Sequence, residues 1–565
     1  MGRWKALVPL GTAQFLVVLD TSVMNVSISQ LVEDFDTSIT AIQATITFYT
    51  LVMAAFLISG SQIGDIMGRR RAFAIGLVVY GIGSGLTAIA PTLWVLVLGW
   101  SVIEGLGGAL VLPALAALVG GNYEGPQRAA AYGVIGGLAG AGIAVGPLLG
   151  GWVTTYLTWR LVFAGEVVVV VFILLTMRWI ADAPATGPRR RLDVVGAGLS
   201  VVGLALTVLG VLQSGTWGWL RPLDPPFTVF GLSPTPFVIG VGLVVLGLLR
   251  TWLRHREAQG LDPLLTWDLF TLPALRAALS TLVAQNLILL GLFFTIPLYL
   301  QVVHGLNAFQ TGLRLLPVSA TMLVTSVCAP LLNRIAGPRA VARTGFGVLF
   351  VATMGLIATI RPELDDVPFA VAMAVLGIGM GLLAAQLANV AQSSVGDAKR
   401  SEVGGLQYTA QNLGSSLGTA LIGSIVVLAL TGAALAGLRE NPQVSDAVEQ
   451  QVGTAVAGSV SFISVPQVRQ ALEDEGIPPD QVEAITAEYA EAQLLSLKIA
   501  LLAAAAIALA SLFLARGLPR GRLGPRPPAS DAAATAATAA VASGGRGAPR
   551  AAQSAASRPR GSRLA

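Results

Sequence analysis

GGLAGAGIAVGPLLGG, residues 136–151, recurs in altered form as GGLQYTAQNLGSSLGT at 404–419. Gly136/Gly404, Gly137/Gly405, Leu138/Leu406, Gly146/Gly414 and Gly150/Gly418 are kept at a shift of 268 residues. A second stretch, IGDIMGRRRAFAIG (63–76), realigns with LNRIAGPRAVARTG (332–345) at a shift of 269, keeping Gly68/Gly337, Arg70/Arg339 and Gly76/Gly345. Two separate loci with nearly the same offset mark a tandem duplication whose copies run in the same direction.

The duplicated unit is apolar. Of the 565 residues 54% are hydrophobic and 12% charged, where a soluble domain carries about 25% charge. A bilayer core takes about 20 apolar residues per helix. That template fits fourteen segments, near 6–28, 42–63, 72–90, 93–119, 129–151, 161–180, 192–213, 236–253, 277–302, 312–332, 341–360, 368–392, 404–431 and 494–515. The first is long and carries Asp20, so it reads as a retained helix and not as a cleavable signal. With the repeat, spans one to six recur as nine to fourteen, and seven and eight are inserted. The expected fold is an all-α membrane protein of 14 transmembrane helices: a half at 1–180, the inserted pair at 181–260, and a second half at 261–515. Parallel six-helix halves around a mid-membrane site are the architecture of rocking transporters.

Charge sets the expected orientation. Arg3 and Lys5, Arg69 to Arg71, Arg189 to Arg191, Arg250, Arg254 and Arg256, Arg334, Arg339 and Arg343, and Lys399 and Arg400 all fall on one side if each span crosses once. The positive-inside rule makes that side the cytoplasm and puts both termini there. Segment 432–492 lies opposite, with ten acidic residues against Arg439 and Arg469, and its PPDQVEAITAEYAEAQ stretch reads as helical. The tail from 516, with nine arginines and one acid, reads as disordered and basic. One cysteine, Cys328, rules out an intrachain disulfide, and two distant histidines argue against a zinc site or a His-based catalytic centre. No metal, cofactor or nucleic-acid partner is expected. The partners are a small amphiphilic substrate, protons and the lipid bilayer, and the chain is expected to act as a monomer. Three lysines against 32 arginines, with abundant Ala and Gly, suggest a GC-rich bacterial gene and hence a bacterial plasma membrane.

Two motifs bear on movement. GSQIGDIMGRRR (60–71) is a tight turn between spans two and three, where Asp65, Gly68, Arg69 and Arg70 form a candidate latch on the cytoplasmic face. In span five, Gly142, Gly146, Gly150 and Gly151 offer a small-residue face to a neighbouring helix, and Pro147 permits a bend. Close packing without mobility is the alternative there.

These stretches, with VVLDTSVMNVSIS (17–29) and LYLQVVHGLNAFQTGLRLLP (298–317), resemble the 14-span drug:proton antiporters of the major facilitator superfamily, of the EmrB/QacA type. The resemblance spans about residues 5–430 and implies proton-driven efflux of amphiphilic compounds by alternating access. Departures matter. Ile66 and Ser29 stand where the family usually has Arg and Pro; Ser101 replaces the span-four arginine, with Glu104 three residues on; Glu166 follows WRLVF (159–163) where Asn is common.

Without that arginine, Asp20 has no cation deep in the first half. Asp20 and Glu104 lie about 21 and 17 Å from the ends of their spans at 1.5 Å per residue, both near mid-membrane. Buried carboxylates there mark proton or ion pathways, so both are candidates for proton coupling; a single interhelical hydrogen bond is the alternative for Glu104. Glu166, a few residues from the outer end of span six, reads better as an interfacial carboxylate in water, though it counts among the cavity candidates. The others are Asn25, Trp100, Gln285, Asn286, Phe294, Gln386, Asn389, Gln407 and Gln411. The expected function is a proton-coupled efflux antiporter, with a dedicated exporter of an endogenous metabolite or lipid as the second possibility.

Overall fold

The computed structural model describes residues 4–37, 39–181, 191–223, 225–332, 336–396, 399–441 and 462–521. Arg189, Arg190, Arg334 and the tail beyond 521 lie outside these ranges. Among the described residues, fourteen helices are long and apolar enough to cross a membrane. The first half contains α1 (Leu7–Val26), the short α2 (Ile28–Asp34), α3 (Ile39–Met67), α4 (Arg69–Ala88), α5 (Leu93–Leu96), α6 (Gly105–Asn122), α7 (Gly125–Tyr156) and α8 (Arg160–Thr176). A π-helical stretch, Val97–Glu104, joins α5 to α6 within one span. The inserted pair is α9 (Val194–Trp217) and α10 (Thr235–Ala258). The second half has α11 (Pro273–Pro297), α12 (Ala308–Leu332), α13 (Pro338–Thr359), α14 (Asp366–Ser393), α15 (Arg400–Glu440), the short α16 (Val465–Asp474) and α17 (Pro479–Leu514).

The repeated glycines make matching contacts in the two halves. A side chain at Gly136 would meet Ala384 of α14, and one at Gly404 would meet Pro113 of α6. Gly137 faces Leu323 and Ser326 of α12, as Gly405 faces Ser61 of α3. Gly146 and Gly150 lie on Ser22 and Val23 of α1; Gly414 and Gly418 lie on Val283 and Leu287 of α11. Thus at these repeated glycines α7 and α15 each pack on one helix of their own half and two of the other. Glycine is needed because these contacts bring helices closer than a Cβ allows.

At the end that carries the basic turns, polar contacts tie the halves together. Arg400 donates to the Gly120 carbonyl at 2.6 Å, Arg128 to Ser393 Oγ at 2.8 Å, and Ser401 to the Ser61 carbonyl at 2.9 Å. Deeper in, Tyr408 donates to Gln14 Oε1 at 2.7 Å. The inserted pair is anchored by buried Asp193, which accepts from Gly196 N, Trp252 Nε1 and Leu264 N at 2.9–3.1 Å.

Three expectations about segment limits are corrected. α15 runs on to Glu440, and 41 residues at 1.5 Å each far exceed a bilayer core of about 30 Å. The helix expected in PPDQVEAITAEYAEAQ is real, but it is the first part of α17 and continuous with the last span. The tail does not lose its order at 516: Leu518 is fully buried, and Arg339 donates to its carbonyl at 2.8 Å.

Candidate functional site

Asp20, Glu104 and Glu166 come together inside the first half, each offering a carboxylate oxygen within 4.8 Å of the others. All three are at most 2% exposed. Reading Glu166 as a water-exposed interfacial carboxylate is therefore wrong. Depth along a helix is not direction around it: α8 packs on α4 with Val167 beside Gly85 and Val170 beside Gly81, and that face turns Glu166 inward.

The site is assembled by one unusually close helix pair. A Cβ on Gly83 of α4 would lie 2.6 Å from Glu104 N and 2.7 Å from Gly99 O. One on Gly107 would lie 2.6 Å from Tyr80 N. The π-helical turn on the facing span widens the backbone where Trp100, Ser101 and Glu104 are displayed, a distortion that often marks functional positions. Ser101, where the family pattern has arginine, donates to the Thr45 carbonyl at 2.9 Å and takes no part in the carboxylate contacts.

Asp20 has its own donor, and the two glutamates share one hydroxyl. Trp100 Nε1 donates to both oxygens of Asp20, at 2.9 and 3.1 Å, while its ring stacks on Tyr49 at 4.5 Å. Ser84 Oγ lies 2.9 Å from Glu104 Oε2 and 2.7 Å from Glu166 Oε2. Tyr49 and Tyr80 direct their hydroxyls toward Asp20 without closing a hydrogen bond. The second oxygens of Glu104 and Glu166 are buried and without partners. Two full charges 4.8 Å apart repel by roughly 3.5 kcal/mol at an effective dielectric constant near 20. Three ionised groups here are thus mutually destabilising, and the arrangement suits a store of protons. Its oxygens would also suit a hard cation, but Trp100 and Ser84 already bond four of the six.

The remaining candidates do not join this cluster. Gln285, Gln386, Asn389 and Gln407 are buried in the second half. Asn286 donates to the Leu282 carbonyl of its own helix, and Phe294 packs over Gly423. Gln411 is half-buried. Asn25 is exposed and donates to Thr21 O. At the latch, Asp65 near the end of α3 meets Arg69 at the start of α4 at 3.7 Å. Gly68 between helices has φ +95°, a conformation that favours glycine over any L side chain, and Arg70 is half-buried beside it. Gly142 faces Val18 and Phe15 of α1, and α7 continues unbroken through Pro147 and Gly151. Sequence reading missed Ser84, Tyr49 and Tyr80, which complete the cluster.

Two duplicated halves of spanning helices, interlocked by their fifth and thirteenth spans around buried polar groups, define a membrane transporter and not an enzyme. The chain belongs to the Major Facilitator Superfamily, which its residues 10–419 match. It is 31% identical over 445 residues to the puromycin resistance protein pur8 of Streptomyces alboniger, covering 78% of this chain and 84% of that one. It is 30% identical over 439 residues to the cephamycin export protein CmcT of Amycolatopsis lactamdurans, covering 76% and 86%. The fold is also that of the human organic anion transporter MFSD10 (TETRAN), at TM-score 0.54 and 13% identity over 91% of this chain and 97% of that one.

Proposed function

We propose that this protein is a proton-coupled exporter of small amphiphilic molecules, cationic or neutral, working by alternating access. In this reading it sits in a bacterial plasma membrane as a monomer with both termini in the cytoplasm. The observation that carries it is the buried carboxylate cluster, whose hydrogen-bonding partners are Trp100 and Ser84, with no guanidinium or ammonium group among them. Asp20 and Glu104 take up protons there; a substrate cation brought near the cluster favours their ionised forms and expels the protons, which gives exchange. Asn25, Trp100, Gln285, Asn286, Phe294, Gln386, Asn389, Gln407 and Gln411 are proposed to line the substrate path. Asp65 with Gly68, Arg69 and Arg70 steadies the closed basic end, and the glycine face of α7 lets the halves slide. A dedicated exporter is the second reading, supported by relatives whose names each carry one antibiotic.

The test is ethidium uptake into everted proteoliposomes driven by an imposed acid interior. Wild type should accumulate the dye, while Asp20→Asn and Glu104→Gln should bind it yet fail to concentrate it. The double variant should be no worse than either single one, because the two act as a unit. Wild-type accumulation by Glu104→Gln would leave it a structural hydrogen bond. Accumulation of single natural products but not of ethidium would favour the dedicated exporter.

A further inference from the structure

We propose that Glu166, Ser84 and Glu104 form a proton relay, in which the two glutamates share one proton through the serine hydroxyl and Ser84 is the positioning residue. The inference deepens the proton-coupled reading above and rests on it for its role in transport, but the shared proton itself follows from hydrogen-bond counting. Ser84 Oγ contacts Glu104 Oε2 at 2.9 Å and Glu166 Oε2 at 2.7 Å. A hydroxyl has one proton to donate, and an ionised carboxylate can only accept. One of the two contacts must therefore be donated by a carboxyl O–H into the Ser84 oxygen.

Two arrangements satisfy this equally. In one, protonated Glu104 donates to Ser84, whose own proton goes to ionised Glu166; in the other the roles are reversed. They interconvert when the Ser84 O–H breaks toward the ionised glutamate as the protonated glutamate passes its proton to Ser84 Oγ. One proton moves from one glutamate to the other, and the serine ends as it began. Every group facing the pair is in place for this. Asp20 comes from α1, Tyr49 from α3 and Tyr80 from α4, and both phenol hydroxyls are buried, unpartnered and turned to the cluster. Trp100, one turn before Glu104, holds Asp20 beside it. Glu166 lies six residues into α8, about 9 Å along the helix from Arg160 at its first position. Arg160 and Trp159 bond Asp34 there, at 2.6 and 2.8 Å. The relay runs from Glu166 through Ser84 to Glu104, beside Asp20.

The test begins on purified protein in lipid without substrate, reading the infrared C=O stretch of protonated carboxyl groups at neutral pH. Wild type should show such a band. Glu104→Gln and Glu166→Gln should each remove the same component of it, because an amide supplies the donor that the acid otherwise must; Asp20→Asn, which takes away only a proton held at Asp20, should keep that component. Ser84→Ala should shift the band and slow gradient-driven ethidium uptake at least tenfold with dye binding intact, and Ser84→Thr, which keeps the hydroxyl, should restore both. A band unchanged by Glu104→Gln and by Glu166→Gln, or identical behaviour of Ser84→Ala and Ser84→Thr, would overturn the relay. The expected band pattern in a protein that moves no ethidium would support the shared proton and overturn the broad amphiphile-efflux reading alone, leaving the dedicated exporter.

Discussion

Gly83→Ala should uncouple the transporter although it touches no carboxylate. The added methyl group would lie 2.6 Å from Glu104 N, 2.7 Å from Glu104 Cβ and 2.7 Å from Gly99 O. Comfortable contacts lie near 3.5–4.0 Å, so α4 and the facing span must part by about 1 Å. The obstructing atoms are mostly backbone and cannot swing away. Overpacking of this kind costs about 1–3 kcal/mol in stability. The same displacement stretches the Ser84 to Glu104 contact from 2.9 Å to nearly 4 Å, outside hydrogen-bond range. Losing a hydrogen bond to a charged or proton-sharing carboxyl is worth about 1.5–3 kcal/mol, roughly a tenfold to hundredfold effect on the step that uses it. Ethidium uptake into acid-loaded everted vesicles, normalised to folded protein, should fall by at least about tenfold. Gly85→Ala is the control, since its methyl group would meet only Val167 Cγ2 at an ordinary 3.7 Å. Full coupling in Gly83→Ala, or an equal loss in Gly85→Ala, would refute the reasoning.

Arg400→Ala should loosen the closed basic end by removing the 2.6 Å bond to Gly120, and a cysteine placed at Ser61 should then react faster with a small thiol reagent from that face. Unchanged reactivity would assign the closure to glycine packing alone. Asp65→Asn should slow ethidium transport severalfold with expression and dye binding retained, whereas a normal rate would remove the latch from the mechanism. In a Cys328→Ser background, cysteines at Gln259 and Gln470, both exposed, should label from opposite membrane faces with an impermeant reagent; labelling from one face would reverse the proposed topology.

The duplication was legible because its glycines are contacts, and a contact that tolerates no Cβ leaves the same residue in both copies. The halves, the inserted pair and the fourteen spans all follow from that and from hydropathy. Asp20 and Glu104 stood out since an acid in an apolar run has few uses. Glu166 was misplaced because counting residues gives its depth, while the face it occupies is fixed by Gly81 and Gly85 on a different helix. Ser84 and Tyr80, four residues apart on α4, left no mark: hydroxyl side chains are common in apolar helices, where they bond their own backbone. The Gly76 and Gly83 spacing of seven was the one available hint that this face of α4 is pressed against another helix. The π-helical turn has no recognisable sequence pattern at all.

The two copies have kept their packing but not their charge. Gly136, Gly146 and Gly150 repeat the contacts of Gly404, Gly414 and Gly418, yet the acids described in α11 to α15 lie near helix ends, as with Asp366, Glu402 and Glu440. Asp20, Glu104 and Glu166 have no acidic counterpart at a shift of 268 or 269 residues. In the proposed mechanism a membrane voltage, worth about 2.3 kcal/mol per elementary charge per 100 mV across the full bilayer, therefore acts on the carboxylates of one copy alone. Mechanically the molecule is a pair of matched jaws; electrically it is a single lever.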